Sequence, residues 1–115
     1  MNGPLPYLFV QVTARDADEA WTIARTIVER KLAAAAQVFP IRSCYWWQGE
    51  LTEDNEYLIF MKTRAEAYEA LEACVRELHS YQVPAIFALP IVAGSESYLH
   101  WIDAVVQGPE RNTVH

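Results

Sequence analysis

The chain has 115 residues, 52% hydrophobic and 21% charged, which excludes disordered, collagen-like and low-complexity classes and predicts one globular domain over residues 1–115, with its core at residues 7–106. Nine Lys and Arg against fifteen Asp and Glu give a net charge of −6 without a basic run. The counterion-release drive for nucleic acid or anionic membrane is therefore missing, and neither is expected as a partner.

Residues 7–13 are β-rich and alternate, with Leu8, Val10 and Val12 on one face and Tyr7, Phe9 and Gln11 on the other. Asp16 and Glu19 have the spacing of a capping box, and Ala20, Ile23, Ala24, Ile27 and Val28 then recur at helical spacing, predicting a helix to about Lys31. Residues 36–47 and a run ending at Thr63 flank Gln48-Gly49, a two-residue turn signal, so a long hairpin is expected. Its register would pair Trp47 with Glu50, Trp46 with Leu51, Tyr45 with Thr52 and Arg42 with Asn55. Pro40 cannot donate to a ladder and should mark a bulge or an edge position.

Thr63 and Glu66 repeat the capping-box spacing ahead of Tyr68, Leu71, Val75 and Leu78, predicting a second helix over residues 65–78. Pro84 disfavours further helix, and residues 85–91 read as a mostly buried strand. A short helix over residues 98–106, capped by Ser95 or Ser97, completes the chain. The order βαββαβ plus a helix fits an α+β, ferredoxin-like sandwich with both main helices on one sheet face. The other face would then be uncovered, and a two-stranded arm cannot bury Tyr45, Trp46 and Trp47 by itself. A cyclic oligomer that covers both removes the problem.

Several stretches carry a resemblance, in this order along the chain: Thr13-Ala14-Arg15-Asp16, Arg30-Lys31-Leu32-Ala33-Ala34, Ser43-Cys44-Tyr45-Trp46-Trp47-Gln48-Gly49, Glu56, Lys62-Thr63, His79-Ser80-Tyr81-Gln82-Val83-Pro84 and Tyr98-Leu99-His100-Trp101-Ile102. Together they resemble the CutA divalent-cation tolerance family. The resemblance implies a ferredoxin-like, PII-like homotrimer joined by long hairpins, a link to copper and other divalent metal ions, and no established enzymatic reaction.

The sequence departs from the family pattern where a metal would need donors. Ala35 stands at the usual cysteine, Ser80 interrupts the histidine-proline-tyrosine motif, and Ala85 replaces an acid. His79 is the remaining candidate metal ligand, but one imidazole does not make a zinc or copper site, so it reads first as a hydrogen-bonding residue at a helix end or in a cleft, with metal ligand or plain surface as the other readings. His100 and His115 read as surface residues.

Lys62 ends a buried strand. If a trimer brings it beside Tyr81, Trp47 and Trp101, these four form a cleft for a small anionic ligand; otherwise Lys62 snorkels and pairs with a carboxylate. Glu50, Glu53, Asp54 and Glu56 read as a solvated hairpin edge rather than a cation loop. Cys44 and Cys74 lack metal-finger spacing and read as free thiols, and with no leader pattern the chain is expected in the cytoplasm.

No GxSxG elbow, HExxH motif or glycine-rich phosphate loop appears, so no enzyme is expected. The favoured function is a non-enzymatic trimeric tolerance or signalling protein whose intersubunit clefts bind divalent metal ions or a small ligand. Two alternatives stay open: a structural or protein-interaction trimer, and an enzyme working across the cleft.

Overall fold

The computed structural model describes residues 6–106, and His115 lies outside them. Four strands and three helices follow in the order β1 (Tyr7–Ala14), α1 (Ala17–Glu29), β2 (Ala35–Trp47), β3 (Glu50–Arg64), α2 (Tyr68–Leu78), β4 (Ile86–Pro90) and α3 (Glu96–Val105). The strands form one antiparallel sheet in the order β2-β3-β1-β4. This is the expected split βαβ arrangement.

Alternation along the strands builds the core. Val10 and Val12 of β1 face the same side as Met61 and Ile59 of β3, their register partners, and all four are fully buried. Ile23 and Ile27 of α1 and Leu71 and Val75 of α2 close over them. Ala20 and Ala24 are buried in the same cluster, as small residues that let α1 approach closely.

Local signals set the ends of α1. The Glu19 amide donates to Asp16 Oδ1 at 2.8 Å, while Glu19 Oε1 accepts from the Arg15 amide at 2.9 Å. The reciprocal bond thus falls one residue before the cap. At the other end Lys31 takes a left-handed φ of 61°, and the Leu32 and Lys31 amides return to Ile27 and Val28 carbonyls, a Schellman closure. The helix stops at Glu29 for that reason.

The hairpin has the predicted register along its full length, from Ala35 opposite Lys62 to Trp47 opposite Glu50. Gln48 and Gly49 both have positive φ, 50° and 81°, the twist a two-residue turn needs between right-twisted strands. Pro40 sits opposite Tyr57 without a bulge; it is tolerated because β2 is an edge strand.

Three expectations are corrected. Thr63 does not cap α2, because its hydroxyl donates to the Leu32 carbonyl at 2.6 Å from inside β3. A 3₁₀ turn, Ala65–Ala67, separates that strand from the helix, which starts at Tyr68 without a side-chain cap. The last strand is also less buried than its apolar run suggested: Ile86 and Ala88 pack on the core, whereas Phe87 and Leu89 stand exposed on the other face of an edge strand. α3 begins earlier than expected, at Glu96, with Ser95 as its cap. Cys44 is exposed and Cys74 buried, both as free thiols.

Candidate functional site

β3 lays out the sheet face that α1 and α2 leave open. The side chains that alternate with its core residues are Lys62, Phe60, Leu58, Glu56 and Asp54, opposite Ala35, Gln37, Phe39, Ile41 and Ser43 of β2. Phe9 and Gln11 of β1 and Leu89 and Phe87 of β4 share this face. Phe60 is in ring contact with both Phe9 and Phe39, at centroid distances of 4.7 and 4.9 Å. An apolar strip therefore runs between two polar ends.

At one end α3 is clasped down. The Tyr7 hydroxyl donates to Asp103 Oδ2 at 2.8 Å, and the Arg64 guanidinium bonds both Asp103 and Glu66 while lying over the Tyr7 ring. Burial works against the Arg64 charge, but these two acids outweigh it and raise its pKa.

At the other end residues 79–84 form a strap. His79 Nε2 lies 2.6 Å from the Thr13 carbonyl oxygen, the Tyr81 amide donates to His79 Nδ1 at 3.1 Å, and the two rings are 4.8 Å apart. The Ser80 amide donates to Glu19 Oε2 at 2.8 Å. The Tyr81 hydroxyl reaches Glu56 Oε2 at 2.5 Å. The strap is thus fixed to β1, α1 and β3 by polar contacts.

Glu56 is only 4% exposed, so the reading of all four hairpin acids as solvated is wrong for this one. Its neighbour Asp54 accepts from the Tyr45 hydroxyl, and that bond pushes the Tyr45 phenol up to about 12. Burial, then the Glu56 carboxylate, drives the Tyr81 phenol higher still. Burial also opposes ionisation of Glu19, yet hydrogen bonds from Arg15 and Ser80 hold its carboxyl below the usual range. Both phenols are proton-holding donors to carboxylates.

The four residues expected to line a cleft stand at separate places in one chain. Lys62 bonds the Gln37 side-chain oxygen and lies 5.9 Å from the centre of the Phe9 ring, and burial lowers its pKa. It does not take the carboxylate partner expected of a snorkelling lysine, because its cross-strand neighbourhood is apolar and amide. Glu56, which holds Tyr81, lies six residues away on the same strand, about 20 Å at strand rise. Trp47 lies six residues beyond Ile41, the partner of Glu56, about as far again. Trp101 is on α3, tilted against Tyr98 at 5.6 Å. Lys62, the Glu56 that holds Tyr81, and Trp47 are thus strung along one face of the strand pair, and Trp101 stands apart on α3.

Within one chain the described donors do not fit a metal ion. Among the described residues no three His, Cys, Asp or Glu side chains are placed to hold one, and both ring nitrogens of His79 are already engaged. His100 is exposed. Glu19, Glu56 and the Thr13 carbonyl were not visible as site groups in the sequence. Alternation could have placed Glu56 on the face of Lys62, but only tertiary packing brings the strap onto it.

These features define a small α+β protein of the split βαβ class, with an overlong hairpin and an open sheet face strapped at one end. The family model described as CutA1 divalent ion tolerance protein matches residues 8–105, and the chain belongs to that family. A Thermus thermophilus divalent-cation tolerance protein CutA is 44% identical over 94 residues, 81% of this chain and 91% of the relative. A chloroplastic CutA of Arabidopsis thaliana is 39% identical over 99 residues, covering 85% of this chain and 54% of that longer protein. The solved structure described as the periplasmic divalent cation tolerance protein CutA from Archaeoglobus fulgidus superposes with a TM-score of 0.86 at 39% identity, over 88% of this chain and 99% of that one.

Proposed function

We propose that this chain works as a non-enzymatic homotrimer in divalent-cation tolerance, with ligand clefts between subunits. The observation that carries the trimer is the open face: Phe39, Phe87 and Leu89 are exposed on it, and both sheet edges, β2 and β4, are unpaired. An uncovered apolar face with two free edges is a liability for a monomer. A closed head-to-tail ring removes both, pairing each β2 edge with a β4 edge of the next copy and turning the apolar faces of the copies toward one another. The hairpin tip, with Trp46 at 73% and Trp47 at 41% exposure, then packs on a neighbour together with Tyr45.

The tolerance role rests on the relatives' names, which are those of divalent-cation tolerance proteins. The trimer also supplies what one chain lacks, since groups spread along about 40 Å of hairpin, and Trp101 on α3, meet only when copies overlap. Lys62, Tyr81, Trp47 and Trp101 are the cleft residues in this reading. A small anionic ligand suits a partly desolvated lysine between aromatic rings, and copper or another divalent ion takes its donors from more than one subunit. The relatives' names point to different compartments, chloroplastic and periplasmic; two free thiols favour the reducing cytoplasm. No helix among the described residues is long and apolar enough to cross a membrane.

Light scattering coupled to size exclusion tests the assembly, with a mass three times the 13.1 kDa chain as the expected result. Growth in graded copper of cells lacking and re-supplied with the protein tests the role. A monomer at micromolar concentration, or no change in tolerance, would refute the corresponding part.

A further inference from the structure

From the strap geometry we infer that His79 is a two-sided fastener that holds Tyr81 on Glu56, not a metal ligand of this chain. The donor and acceptor logic fixes its state. A carbonyl oxygen only accepts, so the 2.6 Å contact with Thr13 requires a proton on Nε2. The Tyr81 amide only donates, so its 3.1 Å contact requires the lone pair on Nδ1. The imidazole is therefore the neutral Nε2–H tautomer with both nitrogens committed. A metal ion needs an in-plane lone pair on one of those nitrogens, and each route removes a strap bond: capture at Nδ1 evicts the Tyr81 amide, and capture at Nε2 first requires loss of the proton given to Thr13.

The surroundings argue the same way. The strap is held by polar contacts to three elements, at Thr13, Glu19 and Glu56, and Val83 within it is exposed rather than anchored in the core. His79 is the residue where α2 ends and the strap begins: its amide closes the helix on Val75, and its ring turns the chain so that the Tyr81 hydroxyl lands on a buried carboxylate. Losing the ring would free the strap and leave Glu56 without its donor. His79 is thus a positioning residue acting through Tyr81. The proposal goes beyond the cation reading above, because it removes the one candidate ligand and requires any cation site to be built elsewhere.

The test uses the full chain as wild type, His79→Gln and His79→Ala. Glutamine keeps a donor near the reach of Nε2 without the imidazole, whereas alanine keeps neither bond. Long-range proton–nitrogen spectra of the wild type should show the Nε2–H tautomer, unperturbed by one equivalent of copper(II). Amide exchange over residues 79–85 should rise at least about tenfold in the alanine variant and less in the glutamine variant. Copper titrations followed by calorimetry should be alike for all three. The assignment is overturned by an Nδ1–H tautomer, by copper broadening His79 first, or by a subunit-stoichiometric copper site that both substitutions abolish. Unchanged exchange in the alanine variant also overturns it. No copper binding by any of the three, with the tautomer and exchange as expected, supports the fastener and counts against direct cation binding. If the alanine variant does not fold, the tautomer spectrum and the glutamine variant still decide between the two roles.

Discussion

The Tyr81 hydroxyl donates to Glu56 Oε2 across 2.5 Å, joining the segment after α2 to the part of β3 where the hairpin leaves the body of the domain. This one bond gives a nearly buried carboxylate its donor and closes the strap over one end of the open sheet face. Glu56 and Lys62 mark the two ends of that face along a single strand, so strap and lysine occupy opposite ends of the same surface.

Replacing Tyr81 by Phe removes the donor and leaves the Glu56 charge buried. Leaving a buried acceptor unpaired costs about 1–3 kcal/mol, and more for a charged group. The urea midpoint should fall accordingly, while Glu56→Gln should cost less because its amide oxygen still accepts from the phenol. An unchanged midpoint for Tyr81→Phe would show that the carboxylate finds another donor.

The Tyr45 phenol makes alkaline stability a readout of the hairpin. Its hydrogen bond to Asp54 moves it from the ordinary 10.0 to about 12 in the folded chain. The folded state therefore holds a proton that the unfolded chain has released, so this contribution is fully present below pH 10 and is lost as pH rises toward about 12. A phenolate absorbance titration should show late-ionising tyrosine, and Asp54→Asn should bring Tyr45 back toward its ordinary range. Identical titrations of the two proteins would disprove the coupling.

Trp46→Ala with Trp47→Ala should break the proposed trimer. A packed aromatic truncated to Ala costs about 3–5 kcal/mol, and a three-fold ring meets that loss in every copy. Size exclusion with light scattering should report monomer, circular dichroism should separate dissociation from unfolding, and Glu69→Ala, at an exposed position of α2, serves as control. A double variant that remains trimeric with an unchanged melting temperature would move the interface to another surface.

Arg64→Met should loosen α3 specifically. Its guanidinium bridges Asp103 and Glu66 with its side chain only 21% exposed, and hydrogen bonds to charged groups contribute about 1.5–3 kcal/mol each. Amides of residues 99–106 should exchange faster while those of β1 keep their protection. Uniformly faster exchange would mean that the clasp stabilises the whole domain rather than its last helix.

Local sequence determined the elements because their signals act over a few residues. Asp16 caps α1 through an amide three residues on, Gln48-Gly49 sets the hairpin register from turn geometry, and alternation sorts Val10 from Phe9. The pattern of motifs likewise carried the family, since the matched stretches span most of the chain. What tertiary structure decided is which polar groups meet across long separations. Thr63 has the spacing of a helix cap, yet its hydroxyl serves the Leu32 carbonyl, 31 residues earlier. Glu56 lies among acids that look solvated until Tyr81 arrives, 25 residues later. His79 could be ligand or fastener until Thr13, 66 residues away, claims its Nε2. A hydrogen bond depends on atomic distance and direction rather than on spacing along the chain, so only the packed sheet could assign these partners.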